Sequence, residues 1–188
     1  MRPRPWGFHR VRVALTPILL ATVLCGVGCP PRAAPQTTAV FLVRHAEKAT
    51  GVEDPSLTSE GRVRAQALAH VLADAGIETI YSTEFSRTRE TAEAVSKATG
   101  LEVRIFPVGD RSVDAFIEDM ATDILDRQTG RTVLVVGHSN TVPALMRALG
   151  ATKATDLTEK DYDDLFLVEL EDSGSVRLLQ LHYGALSP

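Results

Sequence analysis

The sequence predicts an α/β domain with a largely parallel sheet and helices on both faces. Three observations carry that expectation. Short apolar runs at Ala39–Val43, Thr79–Ser82 and Thr132–Val136 have the length and character of buried strands. Between them lie longer stretches whose apolar residues recur at helical spacing. The connections are short, and Gly76 and Gly100 stand where helices should stop.

Taken in order, Ala39–Val43 (AVFLV) is the first strand. A helix over 58–75 places Val63, Ala67, Leu68, Val71, Leu72 and Ala75 on one face and ends at Gly76. Thr79–Ser82 is the second strand, and residues 86–99 form a helix closed by Gly100. Leu101–Phe106 alternates in polarity, as a strand does, and stops at Pro107. Residues 113–127 carry Phe116, Ile117, Met120, Ile124 and Leu125 on a helix. Thr132–Val136 is the most apolar strand. A short helix over 141–149 follows, with Pro143 tolerated in its first turn. Leu165–Leu170 and Val176–Tyr183 flank Asp172-Ser173-Gly174, a hairpin signal. No internal repeat is present.

A chain of 188 residues that is 44% hydrophobic and 23% charged can bury one sizeable core. Its net charge of −4 is unevenly spread. Residues 1–29 hold Arg2, Arg4, Arg10 and Arg12 and no acid, which leaves the remainder at −8. Binding to a nucleic-acid backbone needs clustered positive charge, so no nucleic-acid partner is expected. Any anion must be taken at one local positive site. The basic start is followed by Val13–Val27, uncharged and interrupted by Pro17. This pattern reads as an export signal and is shorter than the ~20 residues of a spanning helix; a retained signal-anchor is the alternative. Cys25 and Cys29, the two cysteines of the chain, both lie here, so the domain does not depend on disulfides. Gly28-Cys29 and the following PPRAAPQTTA resemble a bacterial lipoprotein leader and linker. A lipid on Cys29 would tether the domain to a membrane without spanning it. The expected organisation is a leader over 1–29, a linker over 30–38 and a domain over 39–188, exported and periplasmic or membrane-anchored.

Three strands run straight into polar residues suited to chemistry. Ala39–Val43 leads into Arg44-His45, Thr79–Ser82 into a loop reaching Arg87, and Thr132–Val136 into Gly137-His138-Ser139-Asn140. Ligands of open α/β sheets bind beyond the carboxyl ends of the strands. Two arginines and two histidines converging there suit a phosphate. Guanidinium forks match phosphate oxygens, and imidazole offers a donor or a nucleophilic nitrogen. The helix opening after Asn140 adds free amides. Glu47 and Lys48 read as surface charge, and Arg89 and Glu90 as a solvated pair. His9 belongs to the leader, and nothing places His70 or His182 near the site.

Val43-Arg44-His45-Ala46-Glu47-Lys48 resembles the Arg-His-Gly signature of the histidine phosphatase, or phosphoglycerate-mutase-like, superfamily. Leu57-Thr58-Ser59-Glu60-Gly61-Arg62 resembles its LTxxGR helix start. The segment from Tyr81 to Ala92 is similar to its YSSPLxRAxxTA motif, and Gly137-His138-Ser139 to its GHS motif. These motifs stand in the family's order across residues 39 to about 183. Ala46 replaces the usual glycine and Arg64 a common glutamine; neither change removes a group the chemistry needs. The resemblance implies a three-layer α/β/α sandwich, mostly parallel with an antiparallel strand.

It also implies a metal-independent phosphatase without cofactor. His45 would attack phosphorus to form a phosphohistidine that water hydrolyses. Arg44, Arg87 and His138 would hold the phosphoryl oxygens. Arg44, Arg87 and any second, protonated histidine nearby would lower the pKa of His45 and keep it neutral. The substrate would be a phosphorylated small molecule or a phosphoprotein, including protein phosphohistidine. Asp110, after the third strand, is the candidate proton donor; a good leaving group would need none. The intervals from His45 to Ser82 and from Arg87 to His138 hold only core elements, which leaves no cap domain. A phosphoenzyme open to water favours hydrolysis over mutase chemistry. A serine hydrolase is disfavoured because Thr141 stands where Gly-x-Ser-x-Gly needs its last glycine. A non-catalytic phosphate-binding module would require a missing or blocked nucleophile.

Overall fold

The order of elements is the one the sequence implies. Strand β1 spans Thr37–Arg44, helix α1 Ser59–Leu72, β2 Thr79–Ser82, α2 Ser86–Thr99, β3 Val103–Ile105, α3 Val113–Arg127, β4 Thr132–Gly137, α4 Thr141–Ala148, β5 Asp164–Glu171 and β6 Val176–His182. The computed structural model describes residues 36–187. The leader expected over 1–29, its two cysteines and most of the linker lie outside the described residues. β1 starts at Thr37, two residues before the expected domain boundary.

The six strands form one sheet in the order β3-β2-β4-β1-β5-β6. β3, β2, β4 and β1 pair in parallel. β5 pairs antiparallel with both β1 and β6, so it alone runs against the other five. The chain leaves β1 through α1, lays down β2 and β3 beyond a gap, and returns through α3 to insert β4 between β1 and β2. That reversal of strand order makes the crevice at which open α/β sheets bind ligands.

Alternation along the strands divides the core in two. Val40, Leu42, Val133 and Val135 face α3 and α4, where they meet Phe116, Met120, Ile124, Leu145 and Met146. Val43, Ile80, Leu134 and Val136 face α1 and α2, where they meet Leu68, Leu72, Ala92 and Val95. These are the three layers of an α/β/α sandwich. No helix is inserted between these core elements among the described residues. Thr58 caps α1 by accepting from Gly61 N, and Ser112 caps α3 by accepting from Ala115 N. Gly100 closes α2 at a φ of 76°, in the left-handed region.

The face assigned to α1 needs correcting. Val63 is 66% exposed and Val71 also faces solvent, whereas Gly61, Arg64, Ala65, Leu68 and Leu72 are buried. Two contacts rotate the helix. A Cβ on Gly61 would come within 2.1 Å of the Glu47 carbonyl oxygen, so this position must be glycine for α1 to approach the loop after β1. Arg64 turns inward to an ionic partner, and a pattern of apolar residues cannot show that. Leu125, expected on the buried face of α3, is likewise exposed.

Candidate active site

The carboxyl ends of β2, β4 and β1 lie side by side and level. Arg44 is in register with Gly137, and Ser82 with Val136. Arg44, His45, Arg87 and His138 therefore come together as the spacing of the motifs predicts. The imidazole centroids of His45 and His138 are 5.5 Å apart, edge to face. The Phe85 ring lies 5.3 Å from that of His138, and the Arg87 guanidinium 4.6 Å over Phe85. On the other side Arg44 stacks 4.1 Å over Tyr162, whose ring is 6.2 Å from that of His45.

Hydrogen bonds fix the tautomers. His45 Nδ1 lies 2.7 Å from the Ala46 carbonyl oxygen, which can only accept, so Nδ1 carries the proton. Nε2 is left with its lone pair and has no hydrogen-bond partner among the described residues. The direction of the chain ending at His138 follows in the same way. Thr88 Oγ1 donates to the Phe85 carbonyl at 2.8 Å, so the Thr83 hydroxyl is the donor in its 2.8 Å contact with Thr88. Thr83 Oγ1 then accepts from His138 Nε2 at 3.0 Å. His138 Nδ1 is left as its unprotonated nitrogen.

Both imidazoles are neutral near pH 7. His45 is lowered to about 3, mainly by burial and further by His138, Arg44 and Arg87, against its hydrogen bond to the Ala46 carbonyl, which raises it. Burial and the Arg87 charge lower His138 to about 4. Arg44 and Arg87 lower His45 as expected, but burial lowers it more, and His138 is itself neutral near pH 7 and so is not a protonated neighbour.

The arginines are held from the outside. Arg44, 1% exposed, donates from Nη1 to the Thr158 carbonyl and from Nη2 to Glu159, both at 2.8 Å. Arg87 Nη1 lies 3.6 Å from Asp54 Oδ1. The Nε of each arginine is buried without a hydrogen-bond partner among the described residues. Orphaned donors of this kind mark a place where a ligand oxygen belongs.

Three expectations about carboxylates fail. Asp110 is exposed in the turn before α3, and among the described residues no hydrogen bond or ion pair joins it to this cluster. Glu47 is not surface charge: both its oxygens accept from buried Arg64, at 2.7 to 3.0 Å, and Arg64 also donates to the Tyr183 and Ala185 carbonyls. Nor is Glu90 paired with Arg89; it accepts from Leu57 N at 3.0 Å.

Sequence reasoning missed Asp54, Thr83, Glu84, Glu159 and Tyr162. Burial tends to raise the pKa of Glu84, but the Gly109 and Val108 amides donate to its two oxygens and hold it below the usual carboxylate range. It pins the loop after β3 beside the site. Topology was the signal for Glu159 and Tyr162. β5 runs against β1, so it begins where β1 ends, and the segment entering β5 must pass the site. Asp54 follows similarly from the loop that leaves β1; it accepts from Ser86 N and Oγ at the start of α2. Among the described residues no group of three His, Cys, Asp or Glu side chains is placed to hold a metal ion.

A family model described as the histidine phosphatase superfamily (branch 1) matches residues 40–108. The "Probable phosphoglycerate mutase GpmB" of Erwinia tasmaniensis is 30% identical over 110 residues, covering 54% of this chain and 51% of that protein. Its namesake from Escherichia fergusonii is 35% identical over 75 residues, covering 36% of this chain and 35% of that protein. The chain thus spans between a third and a half of the length of the curated relatives it matches. Among solved structures, the protein histidine phosphatase SixA complexed with tungstate superposes with a TM-score of 0.62 at 21% identity, over 77% of this chain and 96% of that one. A mycobacterial glucosyl-3-phosphoglycerate phosphatase gives 0.61 at 18% identity, over 80% of this chain and all of that one. At these identities the structures show a shared fold.

Proposed function

We propose that the chain is a member of the histidine phosphatase superfamily, whose model matches residues 40–108, and that it is a metal-independent phosphatase acting through a phosphohistidine on His45. The observation that carries this reading is a buried, neutral imidazole with a free Nε2 beside two arginines that each hold an unsatisfied Nε donor. In the first step the Nε2 lone pair forms a bond to phosphorus as the bond to the leaving group breaks. The Nδ1–H bond to the Ala46 carbonyl supports the positive charge that develops on the ring. Arg44 and Arg87 oppose the charge spread over the phosphoryl oxygens. A bound dianion raises the pKa of His138, so its Nδ1 takes up a proton. That proton is then available to the leaving group, a role for which Asp110 is badly placed. In the second step water attacks phosphorus, the P–N bond breaks, and inorganic phosphate leaves.

The substrate class is a phosphomonoester or a protein phosphohistidine, as the names of the SixA and glucosyl-3-phosphoglycerate phosphatase neighbours suggest. The GpmB name of the curated relatives favours a second reading, a phosphoglycerate-mutase-type transferase. Among the described residues no helix is inserted to cover the site, which supports hydrolysis of the phosphoenzyme over transfer. The test is turnover of 4-nitrophenyl phosphate in excess chelator, with wild type and His45→Ala. Chelator-resistant turnover that falls by at least ~1,000-fold in the variant supports the proposal, as loss of a nucleophile should. Binding without turnover would point to a phosphate-binding module, and efficient isomerisation of a phosphoglycerate to the mutase.

A further inference from the structure

Each arginine of the cradle is already answered by an acid. Glu159, in the segment entering β5, places Oε2 2.8 Å from Arg44 Nη2, while its Oε1 accepts from Ser139 Oγ at 2.7 Å. Asp54 faces Arg87, and Glu84 lies close enough for its charge to act on His138. Both imidazoles are neutral. The positive charges are then Arg44 and Arg87, with Lys48 near Glu159 and Arg89 near Asp54; the negative ones are Glu159, Asp54 and Glu84. Three acids thus offset most of the positive charge before substrate arrives.

Position separates these charges by role. Arg44 is 1% exposed and forms the floor, whereas the Glu159 side chain is 74% exposed and stands at the mouth. The phosphoryl oxygens go inward to the orphaned Nε donors, so whatever is attached to the phosphoryl group projects outward past Glu159. The Ser139 hydroxyl and Arg44 both hold that carboxylate ionised. A leaving group that carries its own carboxylate meets a fixed negative charge, and an ammonium or imidazolium meets a counter-ion.

We propose that Glu159 is a specificity determinant that excludes negatively charged leaving groups, so that the site takes phosphoryl groups attached to neutral or cationic leaving groups. This rests on the phosphatase reading and narrows it. Phosphorylated amino alcohols and phosphoramidates of histidine or lysine fit the charge pattern, whereas phosphorylated sugar acids do not.

The test compares matched esters, 2-aminoethyl phosphate and carboxymethyl phosphate, with 4-nitrophenyl phosphate as the neutral reference. Wild type, Glu159→Gln and Glu159→Asp are measured in parallel. Wild type should prefer the aminoethyl over the carboxymethyl ester by at least ~10-fold in kcat/KM. Glu159→Gln should shrink that ratio to below ~3-fold, and Glu159→Asp, which keeps the charge, should retain most of it. An unchanged ratio in Glu159→Gln, or a wild-type preference for the carboxymethyl ester, overturns the proposal. If wild type fails even with 4-nitrophenyl phosphate, the phosphatase reading has failed separately. The ratio is then read from dissociation constants for the same esters by calorimetry, with the same outcomes deciding.

Discussion

Lowering the pH from 7 to 5 should destabilise this protein through its site histidines, and replacing His45 with glutamine should remove half of that effect. The folded state keeps His45 neutral down to about 3, whereas an unfolded histidine takes up a proton near 6.5. Below 6.5 the unfolded chain therefore binds more protons than the folded one. The stability contribution is complete above 6.5 and is lost as the pH falls towards 3. At ~1.4 kcal/mol per pH unit below the unfolded value, His45 costs about 2 kcal/mol at pH 5. His138, lowered to about 4, adds about 2 kcal/mol over the same interval. The depressed carboxylates Asp54, Glu84 and Glu159 act at lower pH, below the unfolded carboxylate range, and scarcely enter this window. Urea denaturation at pH 7 and pH 5 should therefore show wild type losing about 4 kcal/mol and His45→Gln about 2 kcal/mol. Parallel losses in the two proteins would mean that His45 titrates as freely when folded as when unfolded. A desolvated, neutral nucleophile would then be refuted.

Thr83→Val removes the acceptor that sets the His138 tautomer; kcat should fall at least ~10-fold with a shifted pH profile, while Thr83→Ser should restore both, as measured on an aryl phosphate. Arg64→Met strips Glu47 and two backbone carbonyls of their buried donor. It should cost ~3 kcal/mol in chemical denaturation, and a fully stable variant would show that the pair is spectator charge. Gly61→Ala forces a Cβ against the Glu47 carbonyl and should cost ~1–3 kcal/mol, read as a lower midpoint at unchanged m.

The elements legible in the sequence were those set by local chemistry. β2 and α2 fall at Thr79–Ser82 and Ser86–Thr99, as the apolar run and the Gly100 stop imply, and α3 at Val113–Arg127. Arg44, His45, Arg87 and His138 could be found because each lies at, or within a short loop of, the carboxyl end of a parallel strand, and parallel strands bring their ends together. What escaped depends on contacts between distant segments. The rotation of α1 is set by Arg64 reaching Glu47 and by the tight approach at Gly61, neither of which leaves an apolar period. Glu159 lies far from every motif in sequence and enters the site only because β5 runs against β1. Asp110 is adjacent to β3 in sequence, but it faces solvent, and the carboxylate that orders that loop is Glu84.

The phosphoenzyme tests the account most directly. Brief reaction with a labelled phosphodonor, alkaline quench and peptide mapping should find acid-labile, alkali-stable phosphate on His45, and none in His45→Ala. Phosphate on Ser139 or on any other side chain, or full turnover by the His45→Ala protein, would contradict it.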